Sequence, residues 1–134
     1  MRKINLLAVM FIFTSMNLFT QYPCYRIFPS NYSQIEPTIT RHQSNQQVIF
    51  ASAYTILLNA RSEGTYISSN GGLNWTGSDV CNGTPVLNHG GDPGTVIDKN
   101  GVFILTHLGN IQSGMYANYS TNSGVNWSPN VTIQ

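Results

Sequence analysis

Few side chains in this sequence could carry out acid–base, nucleophilic or metal chemistry. The chain has six lysines and arginines, five aspartates and glutamates, three histidines and two cysteines. Structural zinc sites are built from cysteines and histidines at short, regular spacings such as Cys-x-x-Cys. Neither that pattern nor a closely spaced group of histidines and cysteines occurs. The sequence therefore predicts no metal site and no bound cofactor.

The two cysteines, Cys24 and Cys81, could form one disulfide in an oxidising compartment. A disulfide requires the two Cα atoms to lie within about 7 Å of each other. Because the sequence does not reveal that distance, the bonded and the free state both stay open.

The N-terminal stretch resembles an export signal. Arg2 and Lys3 supply positive charge, and an apolar run follows from Leu6 to Phe13. A membrane anchor is the alternative, but this run is shorter than the roughly 20 apolar residues that span a bilayer. We expect a signal peptide over residues 1–20, cleaved before Gln21, and a secreted or cell-surface product without a transmembrane span.

Charge is sparse in the expected mature chain and balanced in sign. Without Arg2 and Lys3, four basic residues face five acidic ones. Proteins that bind nucleic acids carry a clustered basic surface to hold the phosphate backbone, so nucleic acid is not an expected partner.

The elements that would position any site are indicated by an internal repeat. Ser68-Ser-Asn-Gly-Gly-Leu-Asn-Trp75 and Ser120-Thr-Asn-Ser-Gly-Val-Asn-Trp127 agree at five of eight positions and lie 52 residues apart. Upstream, Pro37 matches Pro93 at an offset of 56, and the segments 47–50 and 101–104 match at an offset of 54. The constant order of these matches predicts a repeated unit of about 50 residues.

Each unit contains four strand-like runs of β-branched and aromatic residues separated by turn residues. The predicted strands are Pro37 to Arg41, Gln47 to Ala53, Gly64 to Ser68, Asn74 to Val80, Thr95 to Asp98, Val102 to Thr106, Met115 to Ser120 and Asn126 to Ile133.

Four antiparallel strands per repeat are typical of a β-propeller blade. We therefore predict an all-β fold with about two blades, blade 1 at about 35–81 and blade 2 at about 92–134. Since known propellers close with four or more blades, we expect residues 21–134 to be the N-terminal part of a larger propeller, and an isolated pair of blades to have low stability. A small β-sandwich is the alternative that the length allows.

The repeated octapeptide has the composition of a tight turn, because asparagine can hydrogen-bond turn backbone and glycine adopts positive φ at little cost. The two segments resemble the Asp-box, or BNR repeat, of the sialidase-like propellers, with asparagine in place of aspartate. In that family the boxes are structural. The resemblance implies the same role for Ser68, Asn70, Gly72, Trp75, Ser120, Asn122, Gly124 and Trp127.

The resemblance also implies that a binding pocket would lie at the edge of the blades opposite the boxes. The loops expected there contain Asn88 to Asp92, Tyr54 to Glu63 and His107 to Gly114. The candidate binding residues at that edge are Glu36, Arg61, Glu63, His89 and His107, and Asp92 is a candidate catalytic acid.

Sialidase chemistry would require arginines that grip a substrate carboxylate, together with a tyrosine nucleophile. In the family, the first such arginine lies in an Arg-Ile-Pro segment. Arg26 is the candidate here, although Phe28 interrupts the motif Tyr25-Arg26-Ile27-Phe28-Pro29. The other catalytic residues would come from later blades, so we expect this segment alone to be inactive.

The resemblance thus implies an exported, sialidase-like propeller, which would be a glycoside hydrolase acting on sialylated or related glycans. The alternative is a non-catalytic module that binds glycans or extracellular proteins, because fold does not determine function.

Overall fold

The computed structural model describes residues 24–83 and 88–133. The expected signal peptide, residues 1–20, lies outside the described residues. The strands are β1 (Ser33–Arg41), β2 (Ile49–Ile56), β3 (Arg61–Ser68), β4 (Thr76–Ser78), β5 (Gly94–Ile97), β6 (Phe103–Leu108), β7 (Met115–Ser120) and β8 (Val131–Ile133).

The strands form two four-stranded sheets, in the orders β1-β2-β3-β4 and β5-β6-β7-β8. All neighbouring strands in both sheets are antiparallel. The all-β fold class and the blade-like four-stranded sheets predicted from the sequence are confirmed.

The register of the sheets reproduces the sequence repeat. Ile49 pairs with Ser68 in the first sheet, and Phe103 pairs with Ser120 in the second. These pairs are related by the same offsets, 54 and 52, that relate the sequence segments. The repeat therefore describes whole sheets and is not confined to the octapeptides.

Strand ends differ from the prediction where local irregularities intervene. β1 begins at Ser33, before the predicted Pro37, because a register shift between Ile35 and Thr38 lets the strand continue past the proline. Such a bulge accommodates a proline that cannot donate a ladder hydrogen bond. The outer strands β4 and β8 are each three residues long, shorter than predicted.

A buried aromatic cluster joins the two sheets. The ring of Phe50 stacks on Phe103 at a centroid distance of 5.3 Å and meets Trp127 at the same distance. Cys81, Ile97 and Leu105 complete this buried core. Because aromatic burial contributes strongly to packing, the two sheets form one unit around this cluster.

A second, smaller cluster lies on the other face of the first sheet. Ala51, Ala53 and Tyr66 are buried there, with Phe28 and Trp75 packed against them. The segment before β1 thus covers part of the face that the second sheet leaves open. Within residues 24–83 and 88–133, no helix is long and apolar enough to cross a membrane.

Candidate functional site

The two octapeptide turns have the same hydrogen bonds. The Ser68 hydroxyl oxygen accepts a hydrogen bond from the Gly72 amide at 2.8 Å, and that of Ser120 accepts one from Gly124 at 2.9 Å. In each turn the serine side chain therefore satisfies a backbone amide of the same turn, as buried or partly buried backbone donors require.

The two turn asparagines act through their side-chain oxygens. Asn70 Oδ1 accepts a hydrogen bond from the Asn74 amide at 2.9 Å, and Asn122 Oδ1 accepts one from Asn126 at 3.0 Å. The serine hydroxyls donate to the same oxygens, at 3.0 and 2.9 Å. Since an aspartate oxygen could accept the same bonds, asparagine serves here as an uncharged equivalent.

The two tryptophans occupy different environments. Trp75 donates its indole N–H to the Gly72 carbonyl at 3.0 Å. Trp127 packs into the core between the sheets, and its buried indole nitrogen has no hydrogen-bond partner among the described residues. The octapeptide turns thus anchor the sheets and present no side chain arranged for catalysis.

Loops from both sheets meet at the opposite edge, which we call the loop edge (residues 57–60, 88–92 and 109–114). The Gly90 amide donates to the Leu108 carbonyl at 2.8 Å, and the Asn110 amide donates to the Asn88 carbonyl at 3.1 Å. The segment that joins the two sheets is therefore fixed against the β6–β7 loop.

Three of the candidate residues come together beneath the loop edge. Glu63, His89 and His107 are each almost fully buried. The Glu63 amide donates to His89 Nδ1 at 3.2 Å, and the Gly91 amide donates to Glu63 Oε1 at 3.0 Å. The His89 and His107 rings stack at a centroid distance of 4.2 Å. We call these three residues the buried triad.

Burial changes the protonation of two triad members. Desolvation, with smaller contributions from Glu36 and Asp92, raises the pKa of Glu63 to about 7. Desolvation and the neighbouring His107 lower the pKa of His89 to about 3. Low-dielectric surroundings disfavour charge on both groups, so at neutral pH His89 is uncharged and accepts the Glu63 amide hydrogen bond.

His107 is held by groups of the second sheet. Its Nδ1 lies 2.7 Å from the Leu108 carbonyl oxygen, and its Nε2 lies 3.1 Å from both Asn118 Oδ1 and Asn130 Oδ1. Both ring nitrogens are therefore engaged with oxygens of neighbouring residues.

The triad has metal-ligand residue types but not the geometry of a metal centre. The available donor atoms of Glu63, His89 and His107 lie within 4.8 Å of one another. An imidazole nitrogen directs its lone pair in the ring plane, whereas these two rings are nearly parallel, at 17°. Two stacked rings cannot both direct in-plane lone pairs at one ion at about 2 Å. The triad instead forms a polar junction between the sheets.

The sequence could not predict this cluster, because its members are separated by 26 and 18 positions. Only the folding of the 88–92 segment under the β6–β7 loop brings them together. The residue types and the expected loop positions placed all three residues at the edge opposite the octapeptide turns, but not in contact with one another.

The remaining candidates, Glu36, Asp92, Arg26 and Arg61, have exposed side chains. Glu36 Oε2 accepts a hydrogen bond from the Asp92 amide at 3.0 Å. Arg26 donates to the Ser30 carbonyl at 3.4 Å, and no ion pair joins it to Asp92 within residues 24–83 and 88–133. The structure therefore does not assemble Arg26 and Asp92 into one site.

Arg61 lies at the loop edge beside an aromatic ring. It is exposed, and its guanidinium carbon lies 5.9 Å from the centroid of the Tyr54 ring. A depression of about 280 Å³ is lined by the β2–β3 loop with Arg61 from the first sheet and by Asn110 from the second. This depression combines a cation with amides, which are groups that bind anionic polar ligands.

The two cysteines are not bonded to each other. Cys24 is exposed, whereas Cys81 is a buried free thiol in the core between the sheets. Burial raises the pKa of the Cys81 thiol to about 11, so it stays protonated and unreactive at neutral pH.

Comparisons of the chain with protein-family models, with curated proteins and with solved structures found no match. The functional interpretation therefore depends on the residues of the chain itself.

Proposed function

We propose that this chain is part of an exported, sialidase-like β-propeller that binds acidic glycans at the loop edge and does not hydrolyse them. The octapeptide turns and the blade-like sheets support the architecture. The observation that carries the binding function is the exposed Arg61 in a depression shared by loops of both sheets.

The chemistry of that depression fits a carboxylated sugar. A guanidinium forms paired, charge-assisted hydrogen bonds with a carboxylate, which is the distinguishing group of a sialic acid. The amide of Asn110 can donate to or accept from sugar hydroxyls, and Asn110 lines the same depression as the β2–β3 loop. The guanidinium carbon of Arg61 also lies 5.9 Å from the centroid of the Tyr54 ring, within the distance of a favourable cation–π contact.

Hydrolysis by these residues is not supported by their positions. A glycosidase needs an acid and a nucleophile that both reach the glycosidic bond, about 5 to 10 Å apart. Glu63 has a pKa suited to a general acid, but its side chain is fully buried beneath the loops. The described residues are therefore better suited to binding than to catalysis.

Catalysis by a larger protein of the same type is the second candidate function. Arg26 is exposed on the segment before β1, as an arginine that grips a substrate carboxylate would have to be. If incubation of the chain with a fluorogenic sialoside released fluorophore above a blank without protein, this candidate would be supported over pure binding.

The binding proposal is tested by titrating the chain with sialyllactose and with lactose, using isothermal calorimetry or NMR. We expect binding of sialyllactose only, and at least tenfold weaker binding by Arg61→Ala, because a charge-assisted hydrogen bond contributes about 1.5 to 3 kcal/mol. Arg41→Ala is the matched control, since Arg41 is also exposed but lies at the end of β1, at the edge of the first octapeptide turn. Equal binding of both sugars, or equal loss in both variants, would contradict the proposal.

Export is tested separately by expressing the full chain in a secreting host. We expect the protein in the medium or periplasm with Gln21 as its first residue, because the charge and apolar run precede that position. Retention in the cytoplasm with an intact N-terminus would contradict export without affecting the binding proposal.

A further inference from the structure

One face of the second sheet is apolar and exposed. Direct cross-strand pairs place its side chains in rows, such as Val96 beside Ile104 and Ile104 beside Tyr119. Five of its hydrophobic side chains are between 43% and 52% exposed. We call this the head face; its large apolar residues are Val96, Ile104, Leu108, Met115, Tyr119, Val131 and Ile133.

The repeat relates the head face to a face that is already packed. Ile104 pairs with Tyr119 in the second sheet, and Phe50 pairs with Ile67 in the first. The two pairs are equivalent in the repeat, because each lies one position from the pair that contains the first serine of its octapeptide turn. Phe50 and Ile67 pack against the core that contains Trp127 of the second sheet. The head face is thus the equivalent of the surface with which the first sheet binds the second.

The opposite end of the molecule has the complementary face. Ile39 pairs with Ala51, and Ala51 pairs with Tyr66, on the side of the first sheet that faces away from the second. These residues and Phe28 line an apolar cavity of about 390 Å³. We call this the tail face. According to the repeat, the tail face of the first sheet is equivalent to the face of the second sheet that packs on the first sheet.

We propose that the head face of one copy of this chain packs against the tail face of a second copy. The contact would repeat, between chains, the contact that joins the two sheets within a chain. Because two different faces meet, the association is head-to-tail and builds a closed ring or an open array.

A second copy is the occupant that the surface chemistry favours. The head face has no charged side chain among its residues, so it offers nothing to an acidic or basic partner. A large exposed apolar surface marks an interaction site. The tail face of the same chain is also apolar, and it is the repeat equivalent of the face of the second sheet that packs on the first sheet. The contact inside the chain shows that faces of these two kinds pack together.

The mass of the purified chain in solution tests the proposal first. At a concentration of about 100 µM, above the micromolar dissociation constants of weak specific interfaces, light scattering or sedimentation should give a multiple of the 14.8 kDa chain mass, less the signal peptide. A monomer that unfolds cooperatively at this concentration would overturn the proposal.

A complementation experiment tests the head-to-tail geometry. Tyr119→Asp places a charge on the head face, and Ile39→Asp places one on the tail face. Both side chains are exposed, by 49% and 63%, so the variants should fold. Each variant alone should be monomeric, and an equimolar mixture should give a dimer, because one intact head meets one intact tail. A mixture that stays monomeric would overturn the geometry.

The matched control is Leu73→Asp. Leu73 is 79% exposed in the turn between β3 and β4, outside both faces, and we expect its variant to have the wild-type mass. If Tyr119→Asp does not fold, as judged by circular dichroism, Val96→Asp replaces it on the same face. Loss of association in the Leu73 variant would show that any added charge disrupts the assembly and would overturn the assignment to these faces.

Discussion

Glu36 and Asp92 adopt the same left-handed backbone conformation, with φ of 54° and 52°. They stand at equivalent points of the repeat, 56 residues apart, and the Glu36 carboxylate accepts a hydrogen bond from the Asp92 amide at 3.0 Å. Positive φ is rare for residues other than glycine. The pair therefore marks the start of each repeat and links the two sheets at the loop edge.

This relationship predicts that Asp92→Gly stabilises the protein. Left-handed backbone costs most residues about 1 to 2 kcal/mol and aspartate less, because its short side chain can hydrogen-bond locally. Glycine avoids that cost but loses about 0.5 to 1 kcal/mol of chain entropy. The amide that donates to Glu36 is retained, so we expect a net gain of up to about 0.5 kcal/mol in the free energy of unfolding. Urea denaturation measures it.

Asp98→Gly is the control for that substitution. Asp98 Oδ1 accepts hydrogen bonds at 2.8 Å from the amides of both Asn100 and Val102, and Asp98 has no positive φ. This variant should lose stability. A gain in both variants, or a loss in both, would show that φ at Asp92 does not determine the result.

The hydrogen bonds of the octapeptide turns predict different changes in stability for two substitutions at Asn122. Asn122→Asp keeps the oxygen that accepts from Asn126 and Ser120, so its stability should stay within about 1 kcal/mol of the wild type. Asn122→Ala removes that oxygen and should cost about 1 to 3 kcal/mol. Thermal or urea unfolding of the two variants distinguishes them, and equal losses would contradict a role for the side-chain oxygen.

The packing of the two sheets predicts a difference between two glycines of similar backbone conformation. Gly124 and Gly101 have φ of 80° and 82°, but a Cβ at Gly124 would lie 2.6 Å from Ile67 Cδ1, whereas one at Gly101 meets open space. Alanine strains the backbone at both sites. Gly124→Ala should cost about 1 to 3 kcal/mol more because it also overpacks the contact between the sheets.

Urea denaturation of Gly124→Ala and Gly101→Ala, measured under the same conditions, tests the contact between Ile67 and the second octapeptide turn. Equal losses in Gly124→Ala and Gly101→Ala would mean that Ile67 does not contact the second octapeptide turn in solution.

The buried triad predicts a specific pH dependence. The pKa of Glu63 is raised from 4.5 to about 7, so its contribution to stability is complete below pH 4.5 and is lost as the pH rises to about 7. The pKa of His89 is lowered from 6.5 to about 3, so its contribution is complete above pH 6.5 and is lost as the pH falls to about 3. Between pH 4.5 and 6.5 the two slopes oppose each other.

Glu63→Gln separates these two contributions. Without the Glu63 carboxyl, the opposing slope is removed, so the free energy of unfolding of the variant should rise more steeply with pH between 4.5 and 6.5 than that of the wild type. Urea denaturation at several pH values measures both slopes. Parallel profiles for the two proteins would contradict the burial of Glu63.

The sequence predicted the repeat well because the repeat is local. Ser68 and Ser120 head turns whose hydrogen bonds span four residues, so the residue pattern alone indicates the structure. The sequence missed the buried triad because burial of Glu63 depends on the path of the segment around His89, which joins the sheets. It also left the state of Cys24 and Cys81 open, and only the fold shows that Cys81 points into the core.

Arg61 is intermediate between these cases. The resemblance placed Arg61 at the edge opposite the octapeptide turns, where the structure has it, but the sequence could not show that Asn110 lines the same depression. That juxtaposition requires the two loops to meet, which is a property of how the sheets pack.

Saturation-transfer NMR of a methyl sialoside mixed with the chain tests acidic-glycan binding at Arg61 without hydrolysis. We expect saturation transfer to the sugar, its loss in Arg61→Ala but not in Arg41→Ala, and no free sialic acid after prolonged incubation. Absence of transfer to the sialoside, or transfer that Arg61→Ala leaves unchanged, would contradict it.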